Sequence, residues 1–87
     1  MQLERLIAAL APTDVVGDAA VEIRELAYDT REVPGGSLFF CIPGAAVDGH
    51  ALAPEAVAGG AVALVVERRL QLDVPQLVVP SVRAAMP

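Results

Sequence analysis

The chain has 87 residues, a net charge of −5, and two phenylalanines and one tyrosine as its only aromatic side chains. So acidic and ring-poor a chain lacks the basic patch and the stacking platform that nucleic-acid binding requires. Its 55% hydrophobic content fits the core of one small domain, and no run reaches the roughly 20 apolar residues of a membrane span.

Leu3, Leu6, Ile7 and Leu10 recur at helical spacing, with Gln2, Glu4 and Arg5 on the other side. This predicts a short amphipathic helix that Pro12 ends. The segment has neither the positive region nor the continuous apolar core of a signal peptide. A brief apolar pair, Val15 and Val16, precedes Gly17-Asp18.

Residues 21–28, VEIRELAY, alternate at strand period, but Leu26 and Tyr28 sit on the opposite parity to Val21 and Ile23. A bulge or twist near Glu25 is the expected cause. Pro34-Gly35-Gly36 makes a tight reversal, because proline presets φ and glycine accepts positive φ. Leu38–Ile42 is a continuous apolar run of strand length, which predicts burial on both faces. Within it Cys41 reads as a small buried hydrophobe rather than a reactive thiol. It is the only cysteine, so no internal disulfide forms, and a reducing cytoplasm is the expected compartment.

Pro43-Gly44 ends that strand, and Asp48-Gly49 is a second turn signal. Residues 50–58 read as a helix with Pro54 near its start, and Gly59-Gly60 closes it. Ala61–Val66 is a further buried strand with Glu67-Arg68-Arg69 as its solvated end. Asp73-Val74-Pro75 turns the chain into a last short strand, Leu77–Val79, and Ser81 has the position of a helix N-cap. The order α, β, β, α, β, β, α predicts an α/β domain with a small mixed, largely parallel sheet flanked by helices. A helix begins shortly before Pro87, so the sequence is expected to be a piece of a longer chain.

Several polar residues sit at the loops. Asp29 can hydrogen-bond its own loop backbone or act on a ligand, and Thr30 can do the same or present its hydroxyl. Arg31 can pair with a carboxylate or a phosphate, or form a surface salt bridge. His50 can face a ligand or cap its own helix. A lone histidine without neighbouring His, Cys or paired carboxylates is a poor metal site. The sequence contains no Ser/His/Asp pattern and no G-x-x-x-x-G-K-[ST] phosphate loop. The Gly44–Gly49 loop frees backbone N–H groups beside a strand end, which suits an anionic or amide-bearing ligand. The residues alone therefore point to a small α/β domain with a loop-built binding edge and no complete catalytic constellation.

The stretch YDTREVPGGSLFFCIPGAAVDGH, followed by APEAVAGGAVALVVE, resembles the N-terminal domain of the Mur ligases. These are cytoplasmic, ATP-dependent, amide-forming enzymes of peptidoglycan synthesis. The shared pattern runs Asp, Ser or Thr, Arg, then a Pro-Gly turn, Leu-Phe, a glycine loop, Asp-Gly-His, and a Gly-Ala before a valine-rich strand. It covers roughly residues 21–86. LAYDTR and VPSVRAAM look more like the MurE type, which adds the third residue, meso-diaminopimelate or L-lysine, to UDP-N-acetylmuramoyl-L-alanyl-D-glutamate. The rival within the family is the MurF type, which adds D-alanyl-D-alanine. The rival outside it is a stand-alone interaction module.

The resemblance implies a role for residues 1–87 as the N-terminal UDP-substrate-binding domain. It implies that Tyr28 and Thr30 contact the uridine and that Ala45, Ala46 and Val47 line the same site. Arg31 and His50 lie close by, with Arg31 as a brace for its loop. Thr30 stands where serine is commoner and keeps the hydroxyl. Tyr28 is larger than the leucine often found there. The resemblance places ATP and magnesium in a central domain, and the amino-acid pocket with a C-terminal one. This segment is then expected to bind neither cofactor and to catalyse nothing alone. Its partners would be UDP-N-acetylmuramoyl-dipeptide and the parent's own central and C-terminal domains, with no nucleic acid and no membrane.

Overall fold

In the computed structural model, which describes residues 1–44 and 46–86, the two phenylalanines of SLFF serve opposite faces of one sheet. The strands are Asp14–Val16 (β1), Glu25–Ala27 (β2), Ser37–Phe40 (β3), Ala61–Val66 (β4) and Gln76–Val78 (β5). They lie in the order β1-β5-β4-β3-β2. β2, β3, β4 and β5 are mutually parallel, and β1 joins β5 antiparallel. The expected mixed, largely parallel sheet is thus present, with one strand more than expected.

Helices Leu3–Leu10 (α1) and Val82–Ala85 (α3) cover one face, and Ala53–Gly59 (α2) covers the other. Alternation along β3 supplies both cores. Leu38 and Phe40 join Leu3, Ile23, Ala63, Val65, Leu77 and Val82 on the α1 and α3 side. Phe39 and Cys41 join Ala27, Ala53, Ala56, Leu64 and Val66 on the α2 side. All four residues of β3 are buried, as a continuous apolar run between two helical layers should be.

The parity change in VEIRELAY has a specific cause. Residues 21–24 do not belong to the sheet ladder that β2 forms. The Leu3 N–H donates to Val21 O at 2.9 Å and the Ile23 N–H to Met1 O at 2.7 Å, while Gln2 and Glu22 form an isolated antiparallel bridge. The Arg24 N–H then turns to Gly36 O at 2.9 Å, and β2 begins at Glu25. The expected strand over 21–28 is therefore two segments with different partners. β1 has no periodic signal beyond Val15-Val16, which is why it reads as a bare apolar pair in the sequence.

A second irregularity lies in β4. Ser37 pairs with Ala61 but Leu38 pairs with Ala63, so Val62 is one extra residue in the ladder. Beside it, Gly60 adopts φ 139° and its Cα comes so close to Gly35 that a Cβ would lie 3.0 Å from the Gly35 Cα. The Gly36 N–H donates to Gly60 O at 3.0 Å, joining the turn before β3 to the end of α2.

The segment 50–58 is a 3-10 turn over Gly49–Leu52 that leads into α2, with Pro54 in the first turn of α2 as expected. Between β4 and β5 the chain folds around the buried Gln76. Its Oε1 accepts from the Leu70 N–H at 2.7 Å and its Nε2 donates to Leu70 O at 2.8 Å. No helix among the described residues is long and apolar enough to cross a membrane.

Candidate functional site

Four parallel strands deliver their C-terminal ends to one edge of the sheet. In open α/β sheets that edge is where ligands lie, because loops and free backbone groups gather there. Here the loops after β2 and β3 leave neighbouring strands side by side, and they carry Tyr28, Thr30, Arg31, Ala46 and Val47.

The loop after β2 begins with Tyr28. It is 41% exposed, and its ring stacks on the buried ring of Phe40, centroids 5.2 Å apart and planes 25° from parallel. Asp29 then closes an Asx turn. Its Oδ1 accepts from the Arg31 N–H at 2.9 Å, and the Glu32 N–H donates to Asp29 O at 3.1 Å. The Arg31 guanidinium grips the same carboxylate, with Nη2 donating to Oδ2 at 2.6 Å. Those side-chain bonds, with the backbone bond second, hold the Asp29 carboxyl down at about 2. Both roles expected within the loop are met: Asp29 bonds its own backbone and Arg31 braces it. Thr30, held half-buried between them, has no hydrogen-bond partner for its hydroxyl among the described residues.

The loop after β3 is fastened at its ends and plain in its middle. At the near end, Arg83 Nη2 from α3 donates to Pro43 O at 2.7 Å. At the far end, the Gly49 N–H donates to Ile42 O at 2.9 Å. A Cβ on Gly49 would lie 2.5 Å from the Ile42 nitrogen, so only glycine fits. Asp48 caps the following turn by accepting the His50 N–H at 2.9 Å, and its other oxygen accepts from Arg68 Nη2 at 3.1 Å. The His50 backbone bond, then the His50 ring and Arg68, keep the Asp48 carboxyl well below the usual carboxylate range.

His50 resolves the alternatives that the sequence leaves open. Asp48, not His50, caps the turn, and the imidazole points inward, with its side chain fully buried. Its Nδ1 lies 2.8 Å from Asp48 Oδ1, and its Nε2 accepts the Glu67 N–H at 2.8 Å. Glu67 in turn accepts the Val82 N–H on Oε2 at 3.0 Å. Glu67 and Arg68 are therefore tied into the loop and α3, beyond the solvated strand end that their sequence implies. Their partners lie 15 to 20 residues away, so no local pattern marks them.

Between the anchors, Ala46 and Val47 are exposed, Val47 by 54%. The N–H groups of Gly44, Ala46 and Val47 have no hydrogen-bond partner among the described residues. Ala45 and Pro87, both singled out in the sequence, lie outside the described residues. Cys41 is buried as expected, and burial pushes its thiol up to about 12. Among the described residues no three His, Cys, Asp or Glu side chains assemble as a donor set for a metal ion. What the edge offers is an exposed ring, a free hydroxyl and a row of free N–H donors. Those groups suit a flat heterocycle joined to polar or anionic oxygens.

Residues 22–87 match the family model described as "Mur ligase family, catalytic domain". The UDP-N-acetylmuramoyl-L-alanyl-D-glutamate–2,6-diaminopimelate ligase of Geobacillus thermodenitrificans is 46% identical over 86 residues, 99% of this chain and 18% of that protein. The protein of the same name from Geobacillus kaustophilus is 54% identical over 65 residues, 75% of this chain and 13% of that protein. Among solved structures, MurF from Acinetobacter baumannii superposes with a TM-score of 0.86 at 27% identity, covering 97% of this chain and 19% of that one. The chain thus spans about a fifth of the length of the relatives it matches. With the family pattern extending from Glu22 through both loops of the edge, the chain belongs to the Mur ligase family.

Proposed function

We propose that this chain is the N-terminal, UDP-substrate-holding domain of a MurE-type ligase. The observation that carries the reading is the pairing of two loops at one sheet edge. One presents Tyr28 and the free Thr30 hydroxyl, and the other presents free N–H groups at Gly44, Ala46 and Val47. In this reading Tyr28 flanks the uracil, Thr30 bonds the uridine, and residues 45–47 hold the polar part of the nucleotide through their backbone. The plain Ala-Ala-Val sequence fits a loop that works through its main chain.

The parent would be a cytoplasmic enzyme of peptidoglycan synthesis. It would use ATP and magnesium in a separate central domain to activate the substrate carboxylate, and would add a diaminopimelate or lysine amine to it. Among the described residues no three His, Cys, Asp or Glu side chains come together as a metal donor set, and no catalytic step is assigned to this segment. The second reading, a MurF-type domain, is favoured by the fold likeness to the Acinetobacter protein. Assay of the parent with diaminopimelate, lysine and D-alanyl-D-alanine as amine donors separates the two.

Titration of the 15N-labelled chain with UDP and with UDP-N-acetylmuramoyl-dipeptide tests the binding role. Saturable shifts centred on Tyr28, Thr30, Ala46 and Val47 are expected. Saturable shifts confined to other regions would remove the site assignment, and the absence of any saturable binding would favour an interaction module.

A further inference from the structure

We propose that His50 is a positioning residue for the Gly44–Asp48 loop, a latch between that loop, the end of β4 and α3. The inference deepens the nucleotide-holding reading and, for its effect on affinity, rests on it.

The hydrogen bonds fix the state of the ring. Nε2 accepts the Glu67 N–H, so that nitrogen carries its lone pair and no proton. The proton then sits on Nδ1 and is donated to Asp48 Oδ1. The same oxygen also accepts the His50 backbone N–H, and Asp48 Oδ2 is held by Arg68. A neutral imidazole of this single tautomer therefore bridges the last residue of the loop and the first residue after β4. No other side chain offers a donor and an acceptor at opposite ends of one rigid ring in this spacing.

Burial makes the bridge consequential. The His50 side chain is fully buried, so water cannot take over the Glu67 N–H once the ring is removed. Glu67 extends the link, because its carboxylate accepts the Val82 N–H at the start of α3. The next residue of that helix, Arg83, holds Pro43 O at the opposite end of the loop. One end of the loop is thus fixed by α3 directly and the other through His50 and Glu67. The free N–H groups of residues 44, 46 and 47 are held between two set points. A ligand then meets donors already placed, and little ordering cost is left for binding.

The chain contains one histidine, so its imidazole nitrogens are identified without ambiguity. A long-range 1H–15N spectrum should show a protonated Nδ1 and an unprotonated Nε2; the opposite tautomer overturns the proposal. His50→Phe keeps the ring volume and loses both bonds, whereas His50→Gln retains an acceptor within reach of Glu67. With UDP as the probe, His50→Phe should weaken binding roughly tenfold and accelerate amide exchange at Gly49, at the end of the loop, and at Glu67, whose N–H groups are hydrogen-bonded in the wild type, and His50→Gln should recover part of both. Wild-type affinity together with wild-type loop exchange in His50→Phe overturns the latch. If His50→Phe does not fold, the wild-type tautomer and the loop exchange of His50→Gln decide. Failure of the wild-type chain to bind UDP removes the nucleotide reading, while the tautomer and exchange measurements still judge the latch.

Discussion

Tyr28 rests on Phe40 as one ring on another, the outer one exposed and the inner one part of the core. The contact joins the end of β2 to the end of β3, so the proposed base platform is set by the packing of the sheet. Tyr28→Ala should lower UDP affinity about tenfold, the order found for losing one aromatic partner of a base, and Tyr28→Phe should keep most of it. Because the chain has one tyrosine and no tryptophan, a saturable change in tyrosine fluorescence on adding UDP reports on this position alone.

Acid should loosen the two loops. Asp29 is held down at about 2 by Arg31, and Asp48 is held lower than the usual range by His50 and Arg68. Both folded-state values lie below the unfolded value, so each carboxylate stabilises the fold fully above about pH 4. The contribution fades as pH falls, through about pH 2 for Asp29 and further still for Asp48. Thermal melts between about pH 5 and pH 2 should show a falling midpoint, and Asp29→Asn should flatten part of the slope. An unchanged slope in that variant would show that the Arg31 pair adds nothing to stability.

At Gly49 there is no room for a single methyl group. An added Cβ meets the Ile42 and Cys41 backbone, which cannot swing aside as a side chain would. Gly49→Ala should destabilise the chain by about 1–3 kcal/mol in urea unfolding, the usual range for overpacking. Gly35→Ala, with open space around its Cβ, is the matched control and should stay within about 1 kcal/mol.

Cys41 should be silent in the folded chain. Burial pushes its thiol up to about 12, leaving almost no thiolate at pH 8. An aromatic disulfide reagent should react slowly without denaturant and at the rate of a free thiol in urea. Rapid native-state labelling would contradict the packing of Cys41 against α2.

Much of the fold is legible where one residue pattern has one cause. SLFFCI announces a doubly covered strand, Pro34-Gly35-Gly36 announces its turn, and Ser81 caps α3 by accepting the Ala84 N–H at 3.2 Å. β1 is not legible, since three residues paired at an edge carry no period. VEIRELAY misleads as one strand because its first half is satisfied by the N-terminal segment. At the site, Asp29 and Arg31 act within their own turn and can be read locally. His50 cannot, because its acceptor nitrogen meets a backbone group 17 residues away.

The loop after β3 is fastened at Pro43 by Arg83 and at Asp48 by Arg68 and His50, while Ala46 and Val47 touch little. That division makes the middle of the loop an exchangeable cassette. Side chains at 46 and 47 can be varied in a library without disturbing the sockets that hold it. New ligand preferences can then be selected on a frame that stays still.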